Sequence, residues 1–573
     1  MMLSFRSLWN SALENRLPVP KNSWRRRQTR KLRLEQLEGR RVFSGSALSV
    51  GNDTGNSGAS DVAVEAAGNS YLTGNFRGTT DFDPANTHPG NTDILTALGI
   101  GDAFVAKYAP DNSLLWARRM GGTDPTLNDG GSKIAIDGGG NVYVTGSFLG
   151  TGDFGPVNLT STGQRDGFVT KLNESGTIQW AKSWGTAETS DSGLGVGVDA
   201  TGNVYAAGHR SGSGSTGFFT ADGDDVLKFS PSGSPVWTKW VKTYSPFSGD
   251  MAVDAAGNVV LVAAFRYTVD FDPGSKTHNV SSGPSFAGFV LKLNTKGNFG
   301  WVSPFVSLST SGFSVADSVA LDGGNVIVGG AYRGSVDFNP GSGTTTLPTG
   351  GRGFITKLSS TGSLVWAKAL EGGDYSVFVN GLAVDAAGSI YATGFFDGTV
   401  DLDPGAGTQT RTTAGGNDIF ALKLDAAGNF VWGTTFGGTG NDNGQGIAVD
   451  TAGTVYLAGS YRGTVDFDPD PIGTHWLINP GTFSNLYLVK LKPAGSGLLA
   501  AARSPGAPTA NSLTNTGLDP IVAGVRNTSL LNADSQFVDV VFSQLNEPLA
   551  NNFLSAFPDE RRWLHGPRLQ RRK

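Results

Sequence analysis

Aspartates that alternate with one apolar residue are the most chemistry-bearing feature of this 573-residue chain. The fullest copy, RGTVDFDP, sets Arg462, Asp466, Asp468 and Pro469 side by side. Related copies hold Arg77, Asp81 and Asp83; Arg266, Asp270 and Asp272; Arg333 and Asp337; and Asp401 and Asp403. Clustered carboxylate oxygens are what a hard cation such as Ca²⁺ requires. Two alternating carboxylates are too few to close such a shell, and no D-x-D-x-D-G loop occurs. In four copies Arg stands four residues before the first Asp, a spacing that suits an ion pair. The motif therefore reads as scaffold, with Arg holding the first Asp and the second capping the Asp-Pro turn. Ca²⁺ at Asp466, Asp468 and their equivalents is the alternative. The segments GGTGNDNG from Gly437 and GGTDPTLNDGG from Gly121 are further sources of oxygen. No metal or other cofactor is assigned from these residues.

Catalysis would need acids, bases or nucleophiles aimed at one place. The five histidines, His88, His209, His278, His475 and His565, show no metal-ligand spacing. Between Gly45 and Gly497 the only glutamates are Glu65, Glu174, Glu188 and Glu371. Cysteine is absent, which excludes disulfides, thiolate metal sites and Cys nucleophiles. A carboxylate pair for glycoside hydrolysis could come only from aspartates, and most of these recur from copy to copy, as scaffold residues do. One segment departs from the pattern. AAGHRSGSGSTGFFTADGDD lacks the DFDP motif and places His209 and Arg210 where other copies carry small and aromatic residues.

These residues sit in a seven-fold repeat. An acid followed by a Gly-containing turn recurs at Glu65, Asp137, Asp199, Asp254, Asp322, Asp385 and Asp450, spaced 55 to 72 residues apart. Each copy divides into four short strands of the kind GIAVD, TVYLAGSY, DGFVTKL and a strand bearing Trp. The Trp positions are 116, 180, 237, 301, 366 and 432. Two tight turns end on Gly, which supplies the positive φ that a short hairpin loop needs. Asn112 replaces the second Gly in one copy, and Asn is the next best residue in that conformation. Seven four-stranded units of this size predict an all-β, seven-bladed β-propeller in which aromatic residues fill the space between blades.

Composition agrees. The 83 glycines are about twice the usual share and point to many turns between short strands. A net charge of −5 gives no footprint for nucleic acid, and no apolar run is long enough to span a membrane as a helix. The ends differ from the middle. Residues 1–44 are a basic segment, 45–503 the propeller, 504–525 a Pro/Ser/Asn-rich linker, and 526–573 a short helical extension with a basic tail. The motifs AVDAAGNVYVTG and FVAKL…G…W resemble the SBBP-type repeat family, a seven-bladed propeller class of bacterial extracellular proteins. LRLEQLEGRRVFSG resembles the LE-x-LE-x-RR segment of bacterial surface and exported proteins. The resemblance implies removal or anchoring near Ser44 and a destination outside the cell or in its envelope.

The last copy has no Trp strand. Ser46–Gly51 resembles a fourth strand without a blade, and Leu498–Arg503 competes for the same slot. Because strand direction alternates, both tight turns fall on one face of the disc. The long, variable, Asp-rich connections fall on the other, where binding sites tend to be built. The expectation is a monomeric, non-catalytic propeller that binds a protein or glycan through that long-loop face. The alternative is a hydrolase or lyase at the mouth of the central channel.

Overall fold

The computed structural model describes residues 43–493 apart from 53–54, 85–92, 213–222, 245–248, 350, 373–375 and 470–473. Among the described residues every regular element is a strand. The basic leader, the Leu498–Arg503 candidate, the linker, the C-terminal extension, His88 and His565 lie outside them.

The strands form the expected seven-bladed propeller. Blade 1, for example, is built from Gly58–Val64, Ser70–Phe76, Asp102–Tyr108 and Leu114–Gly122, each antiparallel to the next. The seven first strands touch in a closed ring at the centre. The second and third strands are buried almost throughout, as in Ala-Phe-Val-Ala at 103–106. Each sheet packs on both faces, so its middle strands read as continuous apolar and small residues.

The acid before the first tight turn organises that turn through its carboxylate. Asp137 Oδ1 accepts the N–H groups of Gly139 and Asn141, both at 2.9 Å, and Asp450 Oδ1 accepts those of Ala452 (2.9 Å) and Thr454 (2.8 Å). In four blades the third-strand lysine reaches the same acid: Lys107 to Glu65 (3.5 Å), Lys228 to Asp199 (3.9 Å), Lys357 to Asp322 (2.7 Å) and Lys423 to Asp385 (3.5 Å). This lysine is the buried partner that the acid needs. In the second turn, Asn112 has φ 71°, beside 72–83° for its glycine equivalents.

The Trp strand joins neighbouring blades. Trp116, Trp180, Trp237 and Trp301 each donate Nε1–H to a carbonyl in the second tight turn of the following blade, at 3.0–3.3 Å. Each ring also lies against that turn's glycine. A Cβ on Gly233 would fall 2.7 Å from Trp180 Cδ2, so this glycine serves both the backbone conformation and the packing.

Phe43–Val50 closes the ring as the fourth strand of blade 7, paired antiparallel with Asn485–Pro493. It fills the slot for which Ser46–Gly51 and Leu498–Arg503 were the candidates. Leu48 and Val50 face the blade 7–blade 1 core, and Ser49 Oγ meets Tyr461 Oη at 2.7 Å.

Candidate binding face and central channel

The DFDP segments lie on the long-loop face, where they form short hairpins. Val and Phe of the motif point into the core, and Val269, Phe271, Val336, Phe338, Val465 and Phe467 are all buried. Phe271 packs on Phe265 and Phe289, with ring centroids 5.1 and 4.9 Å apart. In three blades the hairpin also adds a strand to the outer edge of the preceding blade, as Thr151–Phe154 does on Leu114–Gly122. The motif is thus a strap between blades.

The first aspartate of the motif is committed to backbone amides. Asp466 Oδ1 accepts the N–H groups of Asp468 (3.0 Å) and His475 (2.7 Å). Asp270 takes Asp272 and His278, Asp401 takes Asp403 and Gln409, and Asp337 takes Asn339 and Thr345 in the same way. Asp81 accepts the N–H of Asp83 at 2.8 Å. Asp272 and Asp403 cap the following turn through Gly274 and Gly405, as the sequence reading expects of the second aspartate. The expected ion pair is corrected: among the described residues Arg77, Arg266 and Arg462 do not pair with Asp81, Asp270 and Asp466. Arg266 instead donates to Pro284 O and stacks on Tyr267 and Phe286. Two amides already within reach of one fixed oxygen satisfy the carboxylate without ordering a long side chain in water.

In blade 3, His209 and Arg210 face acids on the adjacent strand. His209 Nδ1 lies 2.9 Å from Asp224 Oδ1, and Arg210 forks onto both oxygens of Asp225 while stacking on Trp240. Burial pushes Asp225 up to about 6, with Arg210 opposing.

The first strands bring together a group that no motif announced. Asp61 of blade 1, Lys133 of blade 2, Asp250 of blade 4 and Asp317 of blade 5 are drawn to the central axis. Lys133 Nζ sits 3.3 Å from Asp250 Oδ2, bridging the channel from blade 2 to blade 4. Asp61 accepts the N–H of Ile134 in the next blade (3.1 Å), and Asp250 that of Val319 (3.2 Å). Burial raises Asp61 to about 6 and Asp317 to about 7. Burial alone would lower Lys133, but Asp250, Asp61 and Asp317 outweigh it and hold the ammonium charged. Asp61, Lys133 and Asp317 lie at or beside a β-bulge in the first strand. Three isolated acids and one Lys in otherwise small, apolar first strands were the only sequence signal.

Six of the exposed large apolar side chains belong to the long-loop connections of the neighbouring blades 7 and 1, while Tyr267 and Leu308 lie on the same face at blade 4. Trp476 and Ile478 lie in the blade 7 hairpin, Ile94, Leu98 and Ile100 in the blade 1 connection, and Leu127 in the loop to blade 2. Trp476 is 54% and Ile478 65% exposed. Among the described residues no cluster of three or more His, Asp or Glu gathers as a metal site, and no helix is long and apolar enough to cross a membrane.

The architecture defines the class of protein: a seven-bladed, four-stranded β-propeller. No family model matches the chain. It is 24% identical over 521 residues to an uncharacterized WD repeat-containing protein of Acanthamoeba polyphaga mimivirus, covering 73% of this chain. It is 26% identical over 421 residues to the regulatory protein FlaEY of Caulobacter vibrioides, covering 68% of this chain. The chain spans 36% of the length of each of these relatives. Among solved structures it is similar to a catalytically inactive virginiamycin B lyase from Staphylococcus aureus (8% identity, TM-score 0.34, 78% of this chain and 99% of that one). It is also similar to the phage phi92 endosialidase (9% identity, TM-score 0.36, 89% and 79%). Neither structural likeness bears on activity.

Proposed function

We propose that the chain is a non-catalytic binding propeller that takes a protein partner on the blade 7–blade 1 arc of its long-loop face, outside the cytoplasm. The observation that carries this is the exposed apolar group of Trp476, Ile478, Ile94, Leu98, Ile100 and Leu127. Exposed apolar clusters with an aromatic anchor mark interaction surfaces. The first aspartates of the DFDP straps on the same face accept backbone amides, which favours the apolar residues as the recognition element. The LEQLEGRRVFSG segment supports the extracytoplasmic part. A glycan is the second reading, because the exposed Trp476 indole offers a flat stacking surface for a sugar ring. The alternative of a hydrolase or lyase rests on Asp61, Lys133 and Asp317, whose shifted acids sit where channel chemistry would.

The test is to screen the full chain against a surface-protein library and a glycan array, beside the variant Trp476→Ala with Ile478→Ser. A true ligand should lose roughly 30-fold in affinity on the variant, the equivalent of ~2 kcal/mol for a hot spot. A ligand bound equally by both would overturn the arc. A ligand or substrate lost on Lys133→Met instead would place the site in the channel.

A further inference from the structure

Three blades bury two carboxylates against one peptide group. In blade 6, Asp418 opens the third strand and Asp442 lies in the loop to blade 7; they are 4% and 0% exposed. Asp442 Oδ2 accepts the N–H of Gly438 (2.8 Å) and its Oδ1 that of Arg462 (2.9 Å). Asp418 Oδ2 accepts the N–H of Ala414 (3.0 Å), while its Oδ1 lies against Gly437 with no hydrogen-bond partner. The two acids therefore straddle the Gly437–Gly438 peptide. A side chain on Gly437 would strike the Asp418 carboxylate, so glycine is required there.

Blade 2 repeats the arrangement with Asp166 and Asp191 about the Gly185–Thr186 peptide. Thr186 N–H donates to Asp191 Oδ2 (3.2 Å), and the Oδ1 atoms of both acids are buried without a partner. In blade 1, Asp102 and Asp129 flank Gly121–Gly122. A Cβ on Gly121 would fall 3.0 Å from Asp102 Oδ1 and 2.7 Å from Asp129 Oδ2. Here the chain brings its own cation, since Arg119 Nη1 reaches Asp102 Oδ2 at 3.0 Å.

The two acids come and go together. The loop position is fixed by a backbone bond to the residue before the third strand: Asp129 N to Gly101 O, Asp191 N to Arg165 O, Asp442 N to Asn417 O. In blade 4 that position is Ser314, bonded to Phe286 O, and the third strand opens with Ala287. At blade 7 it is Ser57, bonded to Ser484 O, and the strand opens with Asn485. In blade 3 the third strand opens with Gly223.

Two buried like charges need a proton or a cation between them. Among the described residues no hydrogen bond links Asp418 to Asp442 or Asp166 to Asp191, so neither acid of a pair neutralises the other. The charged neighbours of Asp418 are Asp442 and Asp397, both acids.

We propose that the Asp418–Asp442 pair and its repeat Asp166–Asp191 each bind one Ca²⁺ ion. The unpartnered Oδ1 atoms of Asp418, Asp166 and Asp191 are anionic ligands, Asp442 adds the second lone pair of an oxygen that accepts a single N–H, and backbone carbonyls and water complete the shell, as hard cations accept. Arg119 takes the ion's place in blade 1. The ions would pin the loop between blades to the strand that follows, at positions distinct from the DFDP straps.

The test is calorimetric titration of CaCl₂ into the full chain freed of metal by chelator, at pH 7.5. About two ions per chain are expected. The variant Asp418→Ala with Asp442→Ser copies the Ala287/Ser314 combination that the protein already folds around in blade 4, and should take up one. If that variant fails to fold, Asp442→Asn serves in its place, again with one ion expected. Asp466→Asn should still take up two. No uptake at millimolar Ca²⁺, or undiminished uptake by the pair variant, would overturn the proposal and leave a trapped proton as the compensation. Neither result touches the apolar arc.

Discussion

Removing the closing strand should open the propeller. Phe43–Val50 pairs with Asn485–Pro493 over eight residue positions and covers the outer edge of blade 7. Leu48 and Val50 are its buried apolar side chains, packed among Val62, Leu486 and Leu488. Full burial of such a side chain contributes ~1.5–3 kcal/mol, so losing the pair costs about 3–6 kcal/mol. The backbone hydrogen bonds of the strand and the entropy of ordering it largely offset one another, which leaves the apolar term to set the size. The exposed edge of Asn485–Pro493 would then invite association. The assay compares urea unfolding of deletions 1–41 and 1–52, with Leu48→Ala as a point control expected to cost ~2–5 kcal/mol. The shorter deletion should match the full chain, and the longer should unfold earlier by the stated amount and aggregate. Equal midpoints for the two deletions would refute the reasoning.

Other outcomes follow from the same geometry. Asp466→Asn should cost under ~1 kcal/mol, because an amide oxygen still accepts the N–H groups of Asp468 and His475, whereas Asp466→Ala strands both and should cost ~1–3 kcal/mol; an ion pair with Arg462 would instead make both substitutions cost alike. Gly233→Ala should destabilise by at least ~1–2 kcal/mol, since φ is 80° and the Trp180 ring fills the space, and a neutral result by thermal melt would count against this packing. In chelator, stability should fall as pH rises from 5 to 8. Asp418 titrates at about 7 and Asp442 at about 6 in the folded state, both raised above the unfolded value, so the native chain holds protons that the unfolded one has released. Asp418→Asn should flatten that slope, and a slope of opposite sign would exclude a buried pair. Any maturation cut should fall before Phe43, leaving the closing strand whole; mass spectrometry finding an N-terminus at Leu48 would contradict its role.

The repeat carried the fold in plain view. Its acid, its two turn glycines and its Trp each do a job within one blade or across one blade boundary, so short-range spacing was enough to read them. Asn112 in place of glycine and the orphan strand near Ser46 were legible for the same reason. The carboxylate partners were not. Arg462 and Asp466 are four residues apart, yet the hairpin turns the carboxylate inward to the amides of Asp468 and His475. Asp418 and Asp442 are 24 residues apart, and Asp61, Lys133, Asp250 and Asp317 lie in four different blades. Folding blade 6 and its outgoing loop brings Asp418 and Asp442 together, and only closing seven sheets into a ring brings the other four within reach of one another. Spacing along the chain thus determined the blade, and the tertiary contacts decided which acids are buried and which are paired.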